Sequence, residues 1–132
     1  MNGSARPTQR PLSPHLQIYH FYLTMVMSIV HRITGVGLYF GTILVAIWLS
    51  AAAFSPSTFR AVNWAFGTWL GQLILFGYTW AFLHHMLGGL RHFVWDTGAG
   101  LTRGPRNALA LATIVGSGGL TLLLWAVILV AR

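Results

Sequence analysis

The stretch ITGVGLYFGTILVAIWLSAAAF, Ile33 to Phe54, decides the fold. It is a run of 22 mostly apolar residues inside the uncharged interval between Arg32 and Arg60. A helix rises about 1.5 Å per residue, so about 20 residues cross a hydrocarbon core of ~30 Å. Two further intervals meet the same requirement. Arg60 and Arg91 enclose 30 uncharged residues, and Arg106 and Arg132 enclose 25. The alternating pattern of barrel strands is absent. The chain reads as an all-α integral membrane protein with three transmembrane helices in one domain. We place them at about 22–53, 62–93 and 107–131, after an N-terminal arm over residues 1–21. Phe54, Ser55, Pro56, Ser57 and Thr58 mark a short turn, and Gly98, Gly100, Gly104 and Pro105 a second break.

Composition excludes the other classes. Of 132 residues, 55% are apolar and 7% charged, against about 25% charged in an ordinary soluble domain. Eight Phe, six Trp and four Tyr exclude a disordered chain. With no cysteine, disulfides, thiolate metal sites and iron–sulfur ligation by this chain are ruled out. The formal charge of +7 does not signal nucleic acid, because the arginines lie between apolar spans as topology signals do. Arg6, Arg10, Arg32, Arg91, Arg103 and Arg106 fall on one side, Arg60 and Arg132 on the other. That asymmetry places the N-terminus on the cytoplasmic or matrix side. The first 20 residues hold Pro7, Pro11 and Pro14 and no secretory signal.

The polar exceptions carry the chemistry, since ionisable groups in a membrane are costly and usually functional. Of six histidines, His31, His84, His85 and His92 gather toward one end of the first two spans, while His15 and His20 sit in the arm. Ser28, His31 and Arg32 stand at i, i+3 and i+4, one helix face. A hydroxyl, an imidazole and a permanent cation there suit a quinone carbonyl or a carboxylate such as a haem propionate. The plainer reading has Arg32 snorkelling to headgroups and Ser28 bonded to a backbone carbonyl. On the second span His85, Gly89 and His92 form a stripe at i, i+4 and i+7. Imidazole is a common axial ligand for haem iron, and a glycine one turn away lets a flat macrocycle approach. The alternative is an interfacial histidine pair bonded to carbonyls, with the glycines serving packing. Zinc lacks the carboxylates or thiolates it usually requires. Spacing alone does not choose between His85 and His84, which points about 100° away.

Gly37 with Gly41, Gly67 with Gly71, and the patch Gly116, Gly118 and Gly119 read as helix-packing surfaces. Trp48, Trp64, Trp69, Trp95 and Trp125 lie mostly near span ends, as interfacial belts do. Asp96 is the only acid and lysine is absent, so hydrolytic triads and phosphate-binding loops are missing.

Three blocks, RPLSPHLQIY at 10–19, SIVHRITG at 28–35 and HHMLGGLRHFVWD at 84–96, resemble the cytochrome b556 family of succinate dehydrogenase membrane anchors. They occur in the expected order on a chain of the expected size, and the third helix carries no motif. The resemblance implies a subunit of respiratory complex II, inactive on its own. In that complex a flavoprotein subunit oxidises succinate, an iron–sulfur subunit passes the electrons on, and two anchors bind haem b and ubiquinone. Carried over by motif, Ser28 and Arg32 contribute to the quinone pocket, and His31 lies near a haem propionate. His85 is the axial ligand to the haem iron, because His85, Gly89, Arg91 and His92 fit the pattern H-x3-G-x-R-H. Arg91 and His92 flank the propionates or the soluble interface. A second anchor subunit supplies the other iron ligand. A bacterial inner membrane is expected, with the mitochondrial inner membrane as the alternative. A haem-free anchor of a fumarate reductase-type complex is the nearest competing reading. A transporter or channel subunit would need polar residues through the membrane depth, and the third span has only Thr113, Ser117 and Thr121.

Overall fold

A computed structural model describes residues 13–131. Arg6, Arg10 and Arg132, which enter the orientation argument, and the first residues of the 10–19 block lie outside the described residues. A short 3-10 turn, His15–Gln17, precedes four α-helices: α1 Leu23–Phe54, α2 Pro56–Gly67, α3 Trp69–Asp96 and α4 Arg103–Val130. Among the described residues α1, α3 and α4 are the helices long and apolar enough to cross a membrane. The all-helical, three-span architecture is as the charge gaps require. α3 packs on both α1 and α4 and is the centre of the bundle.

The second span departs from its expected range. Instead of one helix over about 62–93, the chain forms α2, breaks at Thr68 and resumes as α3. Ser55 caps α2 through Thr58 N–H, with Pro56 in the first turn, where its missing N–H costs nothing. Thr68 is extended, and its Oγ1 accepts from Gly71 N–H at 3.1 Å. Gly71 is buried under the Ala65 carbonyl and the Phe66 backbone, so it closes an elbow and does not continue a packing stripe with Gly67. The turn expected over 54–58 shrinks to Ser55. The last span starts at Arg103, not about 107: Gly104 and Pro105 sit in its first turn, where proline is tolerated. Gly98 and Gly100, at φ +78° and +71°, do form the preceding connection.

What the helices bury would not hold a soluble protein together. The only buried apolar residues described are Met27, Ala51 and Ala110. The seams instead carry Thr34, His84, Arg91, Thr113, Ser117 and Thr121, all buried. Leu, Ile, Val and Phe side chains point outward along the three long helices. In lipid this inversion is favourable: tails solvate the apolar surface while close packing and hydrogen bonds join the helices. The hydroxyls are satisfied locally, Thr113 Oγ1 by Leu109 O at 2.9 Å and Thr121 Oγ1 by Ser117 O at 2.7 Å. Trp125 Nε1 donates to Thr79 Oγ1 at 3.3 Å, tying α4 to α3 toward the far end.

Candidate functional site

His31 from α1 and His85 from α3 meet face to face, with ring centroids 3.9 Å apart and planes within 3°. Each ring lies on bare backbone of the opposite helix. A Cβ at Gly35 would stand 2.9 Å from His85 Cε1, and one at Gly88 would stand 2.5 Å from His31 Nδ1. Two glycines on two helices thus make room for two rings. Sequence reasoning missed both. The available signal was spacing: Gly35 follows His31 by one helical turn, and Gly88 follows His85 by three residues. His92 completes the cluster, 5.6 Å from the His31 ring, with its edge against Trp95.

The tautomer of His85 follows from its hydrogen bonds. Nδ1 lies 3.0 Å from the His31 carbonyl oxygen, which can only accept, so Nδ1 carries the proton and donates. Thr34 Oγ1, whose own hydrogen is directed at the Val30 and His31 carbonyls, lies 3.4 Å from the same nitrogen. Nε2 is left with a lone pair. A backbone carbonyl fixing one nitrogen while the other faces a metal is the usual second contact of a ligating histidine.

His84 goes the other way. It is 2% exposed, sealed between α3 and α4. Its Nδ1 lies 3.2 Å from Ser117 Oγ, and Ser117 gives its own hydrogen to Ile114 O at 3.0 Å, so His84 is the donor there. The Trp80 ring lies 5.1 Å away. No macrocycle could reach that imidazole without parting the helices. His85 is half-buried, and the position of a Cβ on Gly89, one turn along, has nothing within 4 Å. The donor set therefore fits a haem at His85: a ligand nitrogen with a lone pair, a bare helix turn beside it, and the buried, unpartnered His31 Nδ1 nearby.

Ser28 and Arg32 stand on α1 at either side of His31 along the axis, and both are exposed. Neither makes a hydrogen bond to any described residue, and Ser28 does not bond a backbone carbonyl in the way its plainer reading supposes. They form an outward shelf bearing a hydroxyl and a guanidinium beside the histidine pair. Arg91 borders this cluster from the neighbouring face of α3. Six residues past His85, it is turned about 120° from that face, and it lies buried on the side of His84 with its guanidinium 4.9 Å over the Trp95 ring. A separate cavity of about 430 Å³, lined by Trp48, Asn63, Phe66, Gln72 and Tyr78 among others, contains none of the candidate residues. It lies ~20–25 Å further along α1.

Known proteins resemble this chain along almost its whole length. A family profile described as succinate dehydrogenase/fumarate reductase transmembrane subunit matches residues 6–130. The succinate dehydrogenase cytochrome b556 subunit of Paracoccus denitrificans is 45% identical over 108 residues, 82% of this chain and 83% of that protein. Its counterpart in Rickettsia felis is 33% identical over 117 residues, 89% and 91% of the two chains. The mitochondrial cytochrome b560 subunit of Sus scrofa is 37% identical over 100 residues, 72% of this chain and 57% of that one.

Proposed function

Because the chain belongs to the succinate dehydrogenase/fumarate reductase transmembrane subunit family, we propose that it is the membrane-anchor and electron-transfer subunit of a succinate:ubiquinone oxidoreductase, complex II. It holds haem b jointly with a second anchor subunit and forms one wall of the quinone-reduction site. The succinate chemistry belongs to the flavoprotein subunit, with an iron–sulfur subunit between them, and the chain alone is not catalytic. Its three spans and its bacterial relatives assign it to the bacterial inner membrane. The histidine-rich end faces the cytoplasm, where the soluble subunits dock.

The observation that carries this reading is the His31–His85 pair seated on Gly35 and Gly88. Nε2 of His85 would hold the haem iron, with Nδ1 fixed by the His31 carbonyl. His31 and His92 border the same space and would pair with the propionate carboxylates. Haem b held there would supply one-electron redox chemistry. Ser28 and Arg32 stand where a quinone head can lie against α1. The Arg32 guanidinium stabilises negative charge as it develops on a quinone oxygen, and Ser28 Oγ donates a hydrogen bond. Quinone reduction consumes two electrons and two protons. Because Asp96, the one acid, is exposed and apart from this shelf, the protons arrive from a partner side chain or water.

Two assays on the intact complex test the shelf. Arg32→Ala and Ser28→Ala are expected to leave succinate-dependent reduction of a soluble dye near wild type. Ubiquinone reduction should fall by about 10²-fold, the order of effect of losing one preorganised donor. If both activities survive unchanged, the quinone does not lie against Ser28 and Arg32.

A further inference from the structure

A second polar cluster lies on the opposite side of α3, and the haem and quinone reading leaves it without a task. Along α4, Arg106, Ala110, Thr113, Ser117 and Thr121 fall at i, i+4, i+7, i+11 and i+15, one helix face. The last four are each at most 4% exposed, so this face packs on α3. Arg106 therefore enters the same seam as Arg91, which is 4% exposed. Trp95 stands with them under the Arg91 guanidinium.

The side-chain nitrogens that Arg91, Arg106 and Trp95 bring here are all donors. Arg91 Nε and Nη1, Trp95 Nε1 and Arg106 Nε are all buried with no hydrogen-bond partner among the described residues. Guanidinium and indole nitrogens cannot accept, so none of them can satisfy another. The indole face under Arg91 offsets part of its charge but accepts none of its N–H groups. The chain has one acid, Asp96, which is exposed and makes no ion pair here. α4 also begins at this end with no acid in its first turn, adding the positive end of its dipole. Two arginines converging in a low-dielectric seam with no counter-charge require an anion from outside the chain.

The surroundings identify its kind. The outward surfaces of α3 and α4 at this end are apolar, with Leu90, Val94 and Leu111 exposed. Arg106 and Trp95 are half-buried, so the seam opens between those side chains. Arg91 lies five residues inside the end of α3, ~7.5 Å along its axis, a depth a lipid phosphate reaches from the membrane surface. We propose that Arg91, Arg106 and Trp95 bind the phosphate of one anionic phospholipid, whose acyl chains lie on Leu90, Val94 and Leu111. Arg106, the residue that the test replaces, has no part in the haem assignment.

The test counts lipid on the purified, delipidated complex by native mass spectrometry, titrated with phosphatidylglycerol or phosphatidylcholine in mixed micelles. The wild type is expected to take up one phosphatidylglycerol that Arg106→Gln binds at least about tenfold more weakly. Arg103→Gln, the same charge change on an exposed residue, should retain it. Equal uptake by wild type and Arg106→Gln, or equal uptake of phosphatidylcholine, would overturn the proposal. So would displacement by millimolar inorganic phosphate, which assigns the donors to a free anion. Unchanged lipid binding with salt-sensitive loss of the soluble subunits in Arg106→Gln would assign them to a partner carboxylate. If the variant fails to assemble, phosphatidylglycerol with brominated chains decides on assembled complexes. It should quench emission present in wild type and missing in Trp95→Phe, and no such difference refutes the site.

Discussion

His84 and His85 are neighbours in the chain and face opposite seams. His85 enters the α1/α3 contact, stacks on His31 and keeps a free lone pair beside an open helix turn. His84 enters the α3/α4 contact, donates to Ser117 and is closed off. Chemically they are the same group. The difference is that glycine lies opposite one and a hydroxyl opposite the other. Bare backbone leaves an imidazole room to bind something, while a hydroxyl turns it into a structural strut.

The contrast is broken most completely at the proposed ligand itself. His85→Ala should abolish haem binding in the assembled complex, whereas His84→Ala should retain haem and weaken the α3/α4 seam. The next largest effect is expected at the glycine cradle. A Cβ at Gly88 would collide with His31, so Gly88→Val forces the rings apart at a cost of about 1–3 kcal/mol. A lowered temperature of haem release would report it, and Gly89→Ala, which meets open space in this chain, should leave packing between α1 and α3 intact. The smallest effect belongs to the strut. Ser117→Ala removes the acceptor of His84 Nδ1 and the donor to Ile114 O and should cost about 1–2 kcal/mol, read as a small fall in thermal stability with the haem spectrum unchanged. A shifted spectrum in Ser117→Ala would mean the two seams are coupled.

How much of this was legible follows the physics of each signal. The three spans were readable because charge is so costly in lipid that its absence over more than twenty residues is unambiguous. The break at Thr68 was not, since no charge falls between Arg60 and Arg91 and hydropathy does not register an elbow. Its one local mark, Thr68 capping Gly71 N–H three residues on, resembles any threonine in a span. Ser28, His31 and Arg32 were readable as a group because one helix fixes their spacing. The choice between His84 and His85 was not available from helical spacing, which gives their angle but not which neighbour each faces. Ser117, 33 residues from His84, and Gly35, 50 residues from His85, decide it. Arg91 was placed with the haem residues by its position in a motif. Its angle from His85 places it on the His84 side of α3, where it still borders His31.

The most direct measurement is a reduced-minus-oxidised optical spectrum of the intact complex, purified through this subunit, for wild type, His84→Ala and His85→Ala. A b-type spectrum present in wild type and His84→Ala and lost in His85→Ala, with flavoprotein still bound, is the expected result. A b-type spectrum that survives His85→Ala unchanged, or is lost in His84→Ala alone, would contradict haem ligation at the α1/α3 seam.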